Sequence, residues 1–104
     1  MKYSITEGQR ICKKLGSFIE PLNFCCGLTG SVLFDCASDN DIDIIIYPLK
    51  TEEPLMSDEL LMEKLKVFLG ATNYNQVTYH EKDKKRVWYM KLSNETVLNF
   101  FIML

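Results

Sequence analysis

The sequence predicts an α+β fold, a mixed β-sheet of about five strands with two main helices packed on it. Three observations lead there. Two segments carry apolar residues at helical spacing. One run is dense in isoleucine. The last third alternates in short strands broken by polar turns. The order read from them is helix, strand, strand, helix and three strands, with the helices mostly on one side. Residues 1–104 are expected to form a single domain, because a chain of 104 residues builds one core and leaves no room for a second.

Each element has its own signal. Ser4 and Glu7 have the spacing of a capping box, and Ile11, Leu15, Phe18, Ile19 and Leu22 then recur at helical spacing until Pro21 ends the helix. A short strand over 24–28 runs into a turn at Gly30. Residues 34–40, FDCASDN, read as a loop. The run DIDIIIYP, 41–48, has β-branched residues on both faces, which predicts a central strand covered on both sides. A linker with Pro54 spans 50–56. Ser57 is a good N-cap, with Asp58 and Glu59 in the first turn. Leu60, Leu61, Lys64, Leu65, Phe68 and Leu69 make an amphipathic helix that Gly70 stops. Strands follow at 77–81, 86–92 and 97–103, separated by KDKK and by a turn over 93–95. The last of them, at the chain end, is a candidate sheet edge, and a long apolar edge invites pairing with a second copy.

Bulk properties exclude several functions. Hydrophobic residues make up 47% and charged residues 25%, a globular composition rather than a disordered one. The net charge is -2 and the pI about 5.3, so no global basic field draws the chain to nucleic acid or anionic membrane. No apolar run approaches the roughly 20 residues that span a bilayer. Cys12, Cys25, Cys26 and Cys36 contain no CxxC pair, and His80 is the single histidine, which argues against zinc. Without a signal peptide, free thiols in a reducing cytoplasm are the simplest account.

The chemistry concentrates in GLTGSVLFDCASDNDIDIIIYP, residues 27–48. Strand residues two apart share a face, roughly 6.5–7 Å apart, so Asp41 and Asp43 project together. Two carboxylates on one face repel unless a cation lies between them. A hard ion such as Mg²⁺ suits them, since it takes oxygen ligands and completes its shell with water and phosphate. Ten residues before Asp41, Gly30-Ser31 lets backbone N–H groups approach an anion, and the serine hydroxyl adds a donor. A plain solvated acidic strand and an ordinary turn are the bland alternatives. The two features in this order and spacing make the specific reading the stronger one.

In these residues the chain resembles the nucleotidyltransferase superfamily whose best-known member is DNA polymerase beta. That signature is Gly-Ser, about ten residues, then Asp-hydrophobic-Asp on the next strand, often with Ser-Asp just ahead of the pair. Here these are Gly30-Ser31, Asp41-Ile42-Asp43 and Ser38-Asp39. The helix-first layout looks like the minimal nucleotidyltransferases. The likeness covers most of the chain in element order and is close over residues 29–46. It implies that Asp41 and Asp43 hold Mg²⁺, and that Gly30, Ser31 and Ser38 bind the phosphates of a nucleoside triphosphate, with ATP the expected one. A third carboxylate on a later strand would share a metal and help activate the acceptor. Here the chain departs from the pattern, because Asn99 in TVLNFFI stands in that third position. Asparagine offers a carbonyl oxygen but no charge and no proton-accepting base. Asp35 departs as well, standing near a place where many relatives have glycine.

Two functions therefore stay open. One is a Mg²⁺-dependent nucleotidyltransferase with an unknown acceptor and with Asn99 in the degenerate third place. The other is a catalytically inactive binding module of the same fold, holding a nucleotide or acting as the antitoxin-type partner of a second protein. The basic stretch 82–86 reads as a solvated turn, and of Trp88 and Tyr89 one is expected in the core.

Overall fold

Local capping starts and stops both helices. In the computed structural model, Ser4 Oγ accepts from the Glu7 backbone N–H at 3.2 Å and opens helix α1, Ile5–Ile19. A 3₁₀ turn, Glu20–Leu22, carries Pro21 past the helix end. Ser57 Oγ accepts from the Leu60 backbone N–H at 3.2 Å and opens α2, Asp58–Leu69. Gly70 closes it with φ 67°, a left-handed angle at which only glycine escapes a Cβ penalty. The structure describes residues 3–30, 37–38, 41–51, 55–77 and 86–103, and of residues 37 and 38 it describes the backbone alone.

The strands are β1 (Tyr3–Ser4), β2 (Phe24–Thr29), β3 (Ala37–Ser38), β4 (Ile42–Pro48), β5 (Ala71–Val77), β6 (Arg86–Leu92) and β7 (Val97–Ile102). Five of them form one sheet in the order β2-β4-β7-β6-β5. The β4–β7 pair is parallel and the other three pairs are antiparallel, so the sheet is mixed as expected. Asn23, in a left-handed turn, clips the start of β2 to the end of β4. Its side-chain amide donates to the Lys50 carbonyl at 2.7 Å, and its Oδ1 accepts from the Lys50 N–H at 2.9 Å.

Both helices cover the same face. Leu15 and Ile19 from α1 and Leu61, Met62 and Leu65 from α2 are buried with Ile42, Ile44, Ile46, Met90, Leu98 and Phe100 in one cluster. Each such side chain, fully buried, contributes on the order of 1.5–3 kcal/mol. Phe18 and Phe68 stack at 4.1 Å between ring centroids and join the two helices. Trp88 is in this core and donates to Asp58 at 3.4 Å. Tyr89, its neighbour, is only half-buried on the other face. Asp58 also lies 2.7 Å from Arg86 Nε, an ion pair by proximity rather than an aligned hydrogen bond.

Several expectations change. Strand β4 is covered on one face, not two. Ile42, Ile44 and Ile46 are buried, whereas Asp43 and Ile45 are half-buried and Tyr47 is exposed. Strand β7 is no edge, since it lies between β4 and β6, and it has no free side at which a second copy could pair. Its position at the chain end says nothing of its position in the sheet, because pairing is non-local. The edges are β2 and β5. In α2, Leu60 is 48% exposed and Met62 is fully buried, so the apolar face is turned by one residue from the one expected. Strand β5 occupies Ala71–Val77, where no strand was expected before Val77, and the rest of the strand expected at 77–81, with His80 and the KDKK turn, lies in 78–85, outside the described residues. Within the expected loop, Ala37 and Ser38 pair with Ser4 and Tyr3 as a two-stranded sheet.

Candidate functional site

The site lies on the open face of the sheet. Its floor is a cross-strand row set by register. Thr29 pairs with Asp43, Asp43 with Asn99, Asn99 with Tyr89 and Tyr89 with Asn75. Partners in a row share a face and bring their side chains within reach of one another. The parallel β4–β7 pairing is what puts Asn99 beside Asp43 across 56 residues of chain.

Asn99 joins the acidic pair. Its Nδ2 donates to Asp41 in a short hydrogen bond and to Asp43 Oδ1 at 3.3 Å. A side-chain amide has two N–H donors, and here each carboxylate takes one. The two acids therefore converge on one point, and the amide stands between them. Burial pushes the Asp43 carboxyl above its usual range, the Asp41 charge pushes it further, and the Asn99 hydrogen bond pulls it partly back.

Gly30 closes the other side. Its φ is +71°, and a Cβ built there would fall 2.1 Å from Asp43 Oδ2. The carboxylate thus occupies the space that any other residue's side chain would need. The glycine and the second aspartate of the motif are in direct contact, which gives their spacing a physical reason. Beside them opens a cleft of about 180 Å³ lined by Thr29, Gly30, Asp43, Ile45, Phe101 and Met103.

Tyr3 braces the site from outside. It is 3% exposed, pairs through its backbone with Ser38, and its hydroxyl accepts from the Val97 N–H at 3.1 Å. One residue thus fastens the segment entering β4 and the start of β7, the two places from which Asp41 and Asn99 project. Tyr3 was not singled out in the sequence. Its only local signal is an aromatic just before a helix cap, and such an aromatic is as common where there is no site to brace.

The structure brings together Asp41, Asp43, Asn99 and Gly30. Ser31 and Asp35 lie outside the described residues. Ser38 is placed by its backbone in β3. Glu95 lies in the turn before β7, with φ 70°, and pairs with Lys91 at 2.7 Å. Thr29, Ile45, Phe101 and Met103 were not singled out. Nothing in their local sequence marks a cleft, since the cleft exists only once β2, β4 and β7 are in register. Among the described residues no group of three or more His, Cys, Asp or Glu side chains forms a metal cage. The donor set is two carboxylates and an amide. Such hard oxygen donors suit an ion like Mg²⁺ that takes one or two carboxylates and keeps other positions for water and phosphate.

The sign of the Asp43 shift gives a prediction for the metal-free protein. A carboxyl raised on folding contributes stability below its unfolded pKa and loses that contribution as pH rises through the folded value. At neutral pH the charged pair therefore burdens the fold. In chelator, Asp43→Asn is expected to raise the melting temperature by a few degrees at pH 7 and to have little effect at pH 3. Equal effects at both pH values would show that the pair is not under strain.

No family model matches the sequence, and no curated protein matches it. Solved structures do match. The fold they share with the described residues is α+β, with a five-stranded mixed sheet and two helices. Among the matches is the polymerase core of TRAMP, an RNA surveillance complex, with a TM-score of 0.59 and 15% identity over 89% of this chain. Another is a cytoplasmic RNA terminal U-transferase, with a TM-score of 0.62 and 10% identity over 94% of this chain. This chain spans 28% of the length of each. At such identity the likeness concerns the fold. Among the described residues no helix is long and apolar enough to cross a membrane.

Proposed function

We propose that the chain is a Mg²⁺-dependent nucleotidyltransferase domain that takes a nucleoside triphosphate, ATP first among them, and transfers its nucleotidyl group to an acceptor hydroxyl. The observation that carries this reading is the convergence of Asp41 and Asp43 on one point, against Gly30, on the face the helices leave open. The fold shared with a polymerase core and a terminal U-transferase supports it.

Asp41 and Asp43 would hold the ion, and Asn99 can offer its carbonyl oxygen to the same place. Bound there, Mg²⁺ would supply charge neutralisation for the triphosphate. The remaining work belongs to the chain. Gly30, without a side chain, lets the Asp43 carboxylate lie directly against the backbone of the turn. The cleft at Ile45, Phe101 and Met103 gives an apolar wall next to the acids. Position 99 does not take the acceptor's proton, because an amide is no base at neutral pH. Turnover is therefore expected to be slow, by typically about 10²–10⁴-fold relative to a site with a base in place.

Asn99 also supports a second reading. Its amide already bridges the two carboxylates and offsets part of their repulsion without metal. That favours a domain of this fold that binds a nucleotide, or a second protein, without turning over.

One titration separates the two. Mg²⁺-ATP at about 100 times its Kd is expected to raise the melting temperature on the order of 10 °C. The Asp41→Asn/Asp43→Asn protein should not respond. Stabilisation with pyrophosphate release supports the transferase, and stabilisation alone supports the binding module. An identical response from wild type and double mutant would sink the metal site.

A further inference from the structure

Helix α1 crosses β2 at two cysteines. Cys26 Sγ lies 3.4 Å from the Cys12 carbonyl oxygen, which sets the two residues side by side. Both side chains are half-buried and rest against the same core cluster, so each is reachable from solvent and each is held in place. Cys25, next in the chain, faces the other side of the sheet by strand alternation, and its Sγ lies 3.8 Å from the Tyr47 carbonyl oxygen. Cys12 is thus paired with Cys26 and not with Cys25.

We propose that Cys12 and Cys26 are a redox-convertible pair, which a small-molecule disulfide such as oxidised glutathione turns into an intramolecular disulfide tying α1 to β2. The two thiols have distinct parts. The Cys12 thiol donates to the Cys26 sulfur, which holds the Cys26 pKa below its ordinary value. The same contact, with burial, holds Cys12 protonated. In the proposed exchange Cys26 attacks first, as its thiolate. Its sulfur attacks one sulfur of oxidised glutathione, the S–S bond breaks, and one glutathione thiolate leaves. Cys12 then gives up its proton to solvent and attacks the Cys26 sulfur of the mixed disulfide. The second glutathione leaves as thiolate. Two protein thiols are oxidised, one glutathione disulfide is reduced to two thiols, and the electrons balance. The bond closes a short loop that contains the whole α1–β2 connection. It fastens the strand that runs, four residues after Cys26, into Gly30.

The test uses the full chain with Cys25→Ser and Cys36→Ser, incubated with oxidised glutathione, and the wild-type chain beside it. The expected product has lost two hydrogens, carries no glutathione, and gives a proteolytic fragment linking Cys12 to Cys26. Its melting temperature should rise by roughly 10 °C and return on reduction. The bond should form several-fold faster in the folded chain than in urea, and in the wild type it should outnumber linkages through Cys25 or Cys36. Cys12→Ser should leave glutathione on Cys26. A lasting glutathione adduct on Cys26 with Cys12 intact overturns the proposal. So does a bond that forms no faster in the native state, or one that leaves the melting temperature unchanged.

Discussion

Gly30→Ala is expected to cost about 2–5 kcal/mol of stability and to remove the response to Mg²⁺-ATP. Two independent costs add. An alanine at φ +71° enters the left-handed region, at about 1–2 kcal/mol. Its Cβ also meets the Asp43 carboxylate at 2.1 Å and must push it aside, an overpacking of about 1–3 kcal/mol. Against a margin of roughly 5–15 kcal/mol for a small domain, that is a large fraction. The two costs can be separated by a double-mutant cycle with Asp43→Ala, which removes the carboxylate and leaves the backbone strain. The cycle should return a coupling of about 1–3 kcal/mol, measured by denaturant unfolding. If Gly30→Ala loses under about 0.5 kcal/mol, the contact between the two halves of the motif is not what holds the site.

The acidic pair and its neighbours were legible because their signals are local. Strand alternation alone places Asp41 and Asp43 on one face. Caps at Ser4, Ser57 and Gly70 lie within a few residues of the backbone groups they satisfy. Asn99 was legible as a departure from a pattern, but its bond to both acids was not. That bond depends on the parallel pairing of β4 and β7, which no window of sequence contains. The same limit explains the misplaced edge. Strand β7 is apolar because it lies inside the sheet, and its place at the end of the chain hid that. Strand β5 was missed for the opposite reason. ATNYNQV is an edge strand with exposed polar side chains, so its alternation of apolar residues is weak. The one-sided cover of β4 had a signal that was outweighed. Isoleucines at 42, 44 and 46 fill the core, whereas Ile45 serves the open cleft with Phe101. An unbroken isoleucine run looks the same in both cases.

Asn99→Asp is expected to move stability and activity in opposite directions. In chelator the variant loses two charge-assisted hydrogen bonds and gains a third carboxylate where two already repel. Hydrogen bonds to charged groups contribute about 1.5–3 kcal/mol each, and the half-buried groups recover part of this by bonding to water, so a loss of about 2–4 kcal/mol is expected at pH 7. The sign of the pH dependence follows from the raised Asp43 carboxyl. An acid added to this cluster is raised too, so the deficit shrinks as pH falls and the acids protonate. Saturating Mg²⁺ should recover much of the loss, because a cation then takes the place of the amide donor. For the wild type the same ion should give a smaller gain, since Asn99 already separates the acids. If the chain is a transferase with one altered ligand, the new carboxylate supplies both a metal oxygen and a base. Pyrophosphate release should then rise by about 10²–10⁴-fold. If the chain is a binding module, the Mg²⁺ stabilisation appears and the turnover does not. A variant as stable as wild type in chelator at pH 7 would contradict the bridging role of the Asn99 amide itself, whatever the activity shows.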